Sequence, residues 1–156
     1  MARRKKPSEK TLVTDAREIV DRCAGLQVRL AARRITRFMD DRLAPTGLSL
    51  AKVGLMAHVA AARDDTTGAL AERTGLDQST LSRNLRGLEK DGLVEIAIVE
   101  KDLRRRAVWL TETGARRLEA ALPVWRNAQA ALTGRLKPKR VKALSAIADA
   151  LATEDA

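Results

Sequence analysis

The sequence predicts a mainly α-helical fold carrying one small β-hairpin, and three observations lead there. Apolar residues recur at helical spacing over most of the chain, the period changes to alternation only at Val94–Val99, and glycine or proline stands where helical stretches stop. A length of 156 residues suits a single domain, and 45% apolar residues are enough to pack a core without metals or disulfides. One cysteine, Cys23, and one histidine, His58, exclude an intrachain disulfide and a His/Cys zinc site, so neither metal nor cofactor is expected. The longest run free of charged residues, Val53–Ala62, has ten residues, about half of a membrane span. The basic start (Arg3, Arg4, Lys5, Lys6) is followed by no apolar segment, so it does not read as a secretory signal. The expectation is a cytoplasmic protein.

The elements follow in order. Residues 1–10 have no apolar periodicity and read as a disordered basic arm. From about Asp15 to Leu43 a long helix carries two apolar stripes, Ile19, Cys23, Leu26, Leu30 and then Ile35, Phe38, Met39, Leu43; apolar on more than one face, it must meet more than one partner surface. Pro45 and Gly47 end it. A second helix fits Ser49–Ala62, with Ser49 as its cap and Leu50, Val53, Leu55, Met56 and Val59 buried. Asp64–Gly68 is a turn, Gly68–Thr74 a short helix ended by Gly75, and Gln78–Lys90 a further helix ended by Asp91-Gly92. Val94, Ile96 and Ile98 then alternate with Glu95 and Ala97, so Leu93–Val99 reads as a strand, Ala107–Leu110 as its partner and Glu100–Arg106 as the turn between them. An Ala-rich helix runs from Thr111 to about Leu132 with Pro123 as an interior kink. The last helix starts near Pro138 and carries Val141, Leu144, Ala148 and Leu151 on one face. The total is six helices and one hairpin.

Charge narrows the partner. The formal net charge is +10, with 30 basic against 20 acidic residues. The surplus is local: +4 over residues 1–10, +3 over 29–42, +3 over 101–106, and five basic residues with no acid over 135–142. Such a surplus points to a polyanion, nucleic acid or an anionic membrane surface. With three aromatic residues (Phe38, Trp109, Trp125) and no Tyr, base-stacking platforms for single strands or RNA are missing. No helix pairs a strong apolar face with interfacial aromatics, which disfavours the membrane. No Gly-rich phosphate loop, Gly-x-Ser-x-Gly elbow, paired His or metal cluster is present, so an enzyme is not expected.

Two helices joined by a tight Gly75 turn and followed by a hairpin form the order of a winged helix-turn-helix. Asp77 can cap the second of them. There Leu81, Leu85 and Leu88 make one buried stripe, and at 100° per residue Ser79, Arg83, Arg86 and Lys90 lie within roughly 50° of the opposite pole. A hydroxyl and basic face suits the DNA major groove, where arginine reads guanine bidentately and Gln78, Ser79 and Thr80 approach first, flanked by Ser82. The segment Asp77–Asp91 has zero net charge (three basic, three acidic), so its context, not its charge, distinguishes it from an ordinary surface helix. The hairpin tip Lys101–Arg106 can place an arginine in a narrow minor groove or on phosphates.

These residues resemble the MarR family of bacterial transcription regulators over about residues 18–152. The segment Thr66–Val94 is similar to that family's helix-turn-helix, and Asp102-x-Arg104 with Val108-x-Leu110-Thr111-x-x-Gly114 is similar to its wing. Arg33–Arg37 and Ala121-Leu122-Pro123-x-Trp125-x-x-Ala128-Gln129 resemble one common subgroup. The resemblance implies a homodimer with N- and C-terminal helices at the interface and two winged lobes on double-stranded DNA. It implies Arg83 as a recognition contact, Arg104 as the minor-groove residue, Asp102 as its orienting partner, and a small phenolic or otherwise anionic ligand that weakens DNA binding. Two-fold symmetry then requires a near-palindromic site with half-sites about 10 bp apart. The expected organisation is an arm over 1–10, dimerisation helices over 11–48 and 113–156, and the DNA-binding lobe over 49–112.

The expected DNA contacts are therefore Gln78, Ser79, Thr80, Ser82, Arg83, Arg86, Asp102, Arg104 and Arg105. Arg34 and His58 are candidates for ligand binding, and each has a plainer reading, a solvated arginine and a packed histidine. Cys23 is the candidate for redox sensing. It stands displaced from the peroxide-sensing cysteine of one family branch and lacks that branch's tyrosines, and a buried cysteine more commonly serves as a small hydrophobe. The functional expectation is a sequence-specific repressor released by a small molecule. The alternatives are a redox-sensing regulator and a weakly specific architectural DNA-binding protein.

Overall fold

The computed structural model describes residues 9–62, 66–99 and 102–152, excepting the side chains of residues 9, 10, 99, 102–105, 151 and 152. The chain divides into two compact units, residues 1–37 and 38–156. The first holds α1 (Glu9–Arg22) and most of α2 (Ala24–Leu43). The single helix expected from about Asp15 is thus corrected twice: it begins earlier, at Glu9, and it is interrupted at Cys23. The interruption is one residue wide. The Cys23 N–H still donates to the Ile19 carbonyl (3.0 Å) and the Cys23 carbonyl accepts from the Gln27 N–H (3.1 Å), while the Gln27 side-chain amide donates to the Val20 carbonyl (3.4 Å). Gly25, a poor helix former, stands two residues on. This break raises the helix count from the expected six to seven among the described residues.

In the second unit a 3₁₀ turn, Ala44–Thr46, leads to Gly47 at φ +70°, a left-handed conformation that favours glycine. Next come α3 (Leu50–Ala61) and α4 (Thr67–Thr74). The expected Ser49 cap is present: its hydroxyl oxygen accepts from the Lys52 N–H at 3.3 Å. Thr66 caps α4 by accepting from the Ala69 N–H at 3.3 Å, and Gly75 (φ +63°) ends it. Then follow α5 (Gln78–Lys90), β1 (Val94–Val99), β2 (Asp102–Leu110), α6 (Glu112–Leu136) and α7 (Pro138–Ala152). The strands pair antiparallel from Val94↔Leu110 to Ile98↔Arg106, with an irregularity before Val99↔Asp102, and Thr66 adds one bridge to Ala107. The second strand is therefore longer than the expected Ala107–Leu110. The arginine run read as turn, but its backbone is extended within β2 and Arg106 pairs with Ile98, since ladder hydrogen bonds are made by the backbone and do not depend on side-chain charge.

The core lies among α3, α4, α5, the base of the hairpin and α6, with Leu43, Met56, Leu70, Leu81, Leu85, Leu88, Val94 and Ala121 all at 1% exposure or less. At one end Phe38 anchors two arginines, Arg42 at 3.5 Å and Arg135 at 4.9 Å from the ring centre. Gly114 in the first turn of α6 lies against the backbone of Leu93, which brings the helix onto the hairpin base. Apolar surface stays uncovered at both ends of the sequence. In the first unit Leu12, Ile19, Val20, Leu26 and Val28 are exposed, and on α7 so are Leu144 and Ile147.

Candidate nucleic-acid interface

The site rests on α5, and α5 is held from beneath. Leu81, Leu85 and Leu88 are each 1% exposed. Burying a leucine contributes about 1.5–3 kcal/mol, so this stripe fixes the helix's rotation firmly. The opposite face is thereby committed to solvent: Gln78, Ser79, Arg83 and Arg86 are exposed, with Thr80 and Ser82 half-buried. Of the six residues expected on this helix, Ser79, Arg83 and Arg86 share that face, and Gln78, Thr80 and Ser82 flank it.

Two grooves flank them. On the hairpin side, a cavity of about 360 Å³ is lined by Gln78, Ser82, Arg86 and Glu89 of α5, Thr67 of α4 and Arg106 of β2. On the other side, one of about 220 Å³ sets Arg83 and Asn84 against Ser49 and Lys52 of α3. Arg106, part of the basic hairpin tip, thus borders the predicted surface, as do Thr67 and Lys52, which the sequence did not mark. A lone lysine near the start of an otherwise apolar helix was the available signal for Lys52. Its ammonium pairs with Asp91 at the end of α5 at 2.6 Å, and that hydrogen bond, reinforced by the charge attraction, holds the Asp91 carboxyl below its ordinary range. The pair ties the far end of α5 to α3.

At the near end Asp77 does more than cap. Its Oδ1 accepts from the Thr80 N–H (2.8 Å), as expected of a cap, and also from the Ser79 hydroxyl (2.6 Å); its Oδ2 accepts from the Thr80 hydroxyl (2.8 Å). These bonds, the one from Ser79 foremost, hold the Asp77 carboxyl far below the usual carboxylate range. Asp102, Arg104 and Arg105 have strand backbone in β2, but their side chains lie outside the described residues.

The remaining candidates fall elsewhere. His58 is exposed on α3 and, with Trp125 and Leu122 of α6 and Leu50, Val53 and Ala57, lines an open, mostly apolar cavity of about 390 Å³. Arg34 is exposed in the first unit. Cys23 is a free, half-buried thiol at the junction of α1 and α2. Among the described residues no group of His, Cys, Asp and Glu could hold a metal ion, and no single helix is long and apolar enough to cross a membrane.

A sequence profile of the MarR family matches residues 46–105. The chain is similar to the M. tuberculosis transcriptional regulator MosR in complex with DNA, at 31% identity and a TM-score of 0.75, covering 83% of this chain and 96% of that one. It is also similar in fold to a cysteine-to-serine mutant of E. coli MarR complexed with operator DNA (22% identity, TM-score 0.74, 86% and 96% covered). A third similar structure is the S. aureus MepR–DNA complex (19% identity, TM-score 0.70, 83% and 96% covered). No curated protein matches the sequence.

Proposed function

Because the chain belongs to the MarR family of transcriptional regulators, we propose that it binds double-stranded DNA as a homodimer, with α5 in the major groove, and represses transcription until a small ligand releases it. The observation that carries the reading is the division of α5, where a stripe at 1% exposure fixes an exposed face of Ser79, Arg83 and Arg86, flanked by Gln78. The hairpin supplies Asp102, Arg104 and Arg105, with Arg104 in the minor groove and Asp102 orienting it. Residues 49–112 are the DNA-binding lobe, residues 11–48 and 113–156 the dimerisation helices, and 1–10 a basic arm. The dimer is supported by the exposed apolar residues of α1, α2 and α7, from Leu12 (68% exposed) to Leu144 (43%), which a partner would cover. The protein acts by binding and not by catalysis, in the cytoplasm.

The effector site in this reading is the cavity between α3 and α6. Its apolar lining, with Trp125 and the His58 imidazole, suits a small aromatic acid: the ring packs, and the imidazole meets the charge. Selection of genomic fragments by the purified protein at near-physiological salt tests the function. Enrichment of one inverted repeat with half-sites about 10 bp apart is expected. Retention without any common repeat refutes sequence-specific regulation in favour of architectural binding.

A further inference from the structure

The hydroxyls at the start of α5 have a fixed hydrogen-bond sense. An ionised carboxylate has no proton to give, so a hydroxyl bonded to it must be the donor. The Ser79 hydroxyl lies 2.6 Å from Asp77 Oδ1 and the Thr80 hydroxyl 2.8 Å from Oδ2. Each has only one proton, and both protons are committed to Asp77. What Ser79, which is exposed, presents outward is lone pairs alone. A phosphate oxygen has nothing to offer such a group, and the Asp77 charge beside it repels phosphate as well.

In the major groove the bases divide by the same chemistry. Adenine and cytosine present an exocyclic amine that donates, whereas guanine presents only acceptors there and thymine an acceptor and a methyl group. We propose that Asp77 is a specificity-determining residue that makes Ser79 an obligate acceptor, so that on the strand it contacts Ser79 selects an amino base, adenine or cytosine, over guanine or thymine. The inference rests on the DNA-binding reading above.

Its test is selection from a random duplex library by the full-length protein and two variants. Asp77→Ser keeps a good helix cap while freeing the hydroxyl protons, and Ser79→Ala removes the acceptor. The wild-type site should hold adenine or cytosine at one position of each half-site, preferred about tenfold, the equivalent of one hydrogen bond made or left unpaired. Ser79→Ala should abolish that preference, and Asp77→Ser should let guanine or thymine in at the same position while the other positions keep their bases. If Asp77→Ser selects the wild-type site unchanged, or if the position relaxed by Ser79→Ala holds guanine or thymine in wild type, the inference is overturned and the DNA-binding reading stands. If the wild type selects no common site, the DNA-binding reading itself has failed. Should Asp77→Ser not fold, Ser79→Ala still decides, because relaxation of a guanine or thymine position, or of none, is incompatible with an acceptor.

Discussion

Gly114→Ala should destabilise the lobe severely, although by helix propensity alone it should stabilise. In an exposed helix interior the exchange gains about 1 kcal/mol. Here a Cβ at residue 114 would stand 1.9 Å from the Leu93 carbonyl oxygen and 2.8 Å from its carbon, where ordinary contact begins at 3.4 Å. The obstacle is backbone, so no side chain can swing away. To restore contact distance α6 and the hairpin base must part by roughly 1.5 Å, the order of a whole methyl radius. That separation breaks the bond from the Thr111 N–H to the Leu93 carbonyl (3.1 Å), a loss of about 1 kcal/mol. It also loosens Leu93 (4% exposed) and Leu118 (7%), for which the cost of overpacking, about 3 kcal/mol at the upper end, is the fitting scale. The net is a destabilisation of about 3 kcal/mol, or about 6–12 °C in Tm for a chain of this size. Urea and thermal unfolding at matched protein concentration, followed by circular dichroism, would measure it. A Gly114→Ala protein as stable as wild type, or more so, refutes the claim that this close approach builds the lobe.

Gly75→Ala meets no atom within 4 Å, so its cost should be conformational only, about 1 kcal/mol for an L-residue at φ +63°, read from the urea midpoint. Arg104→Ala should lose affinity mainly at sites flanked by A·T-rich minor grooves, and fluorescence anisotropy with A·T- and G·C-flanked duplexes would show equal losses if the wing does not read the groove. Asp77 and Asp91 both titrate below the ordinary 3.8, so they stabilise the fold at pH above that value, and the contribution disappears as the pH falls through their folded values. Unfolding free energy should therefore decline between about pH 5 and pH 2, and more shallowly in an Asp77→Asn/Asp91→Asn variant; an unchanged slope would show that other carboxylates carry the acid sensitivity.

Much of the lobe could be read in the sequence because local and tertiary demands agree there. Leu81, Leu85 and Leu88 mark the buried stripe of α5, and Asp77 and Gly75 mark its start and the end of the helix before it, so Gln78–Lys90 was legible to the residue. The hairpin was half legible. Alternation betrays β1, but Arg104, Arg105 and Arg106 hide the strand they belong to, because a run of adjacent basic residues carries no alternation while the strand backbone continues through it. The break at Cys23 carries no proline and only Gly25 nearby, and apolar spacing continues across it, so periodicity could not reveal it. The extra bonds of Asp77 were hidden for another reason: the cap geometry brings the Ser79 and Thr80 hydroxyls round to the carboxylate, and residue spacing does not reveal side-chain rotamers. The 390 Å³ cavity required α3 and α6, some 65 residues apart in sequence, to be placed together.

Affinity and specificity are then assigned to different residues, and this can be tested. The segment Asp77–Asp91 has no net charge, while residues 1–10 alone carry +4. Counterion release scales with phosphates neutralised, at about 0.9 in log K per log salt for each. Deleting residues 1–8 removes four basic side chains and should flatten the salt dependence by up to about 3.6 per protomer, weakening all duplexes alike. Arg83→Ala should do the opposite. One exposed guanidinium changes the slope by at most about 1 but, if Arg83 reads a guanine as proposed, its loss costs about 1–3 kcal/mol at that base, so preference relaxes while fold and dimer persist. Binding isotherms for selected and scrambled duplexes at several salt concentrations separate the two. A deletion that alters base preference, or an Arg83→Ala protein that keeps it, would show that the neutral helix does not hold the sequence information.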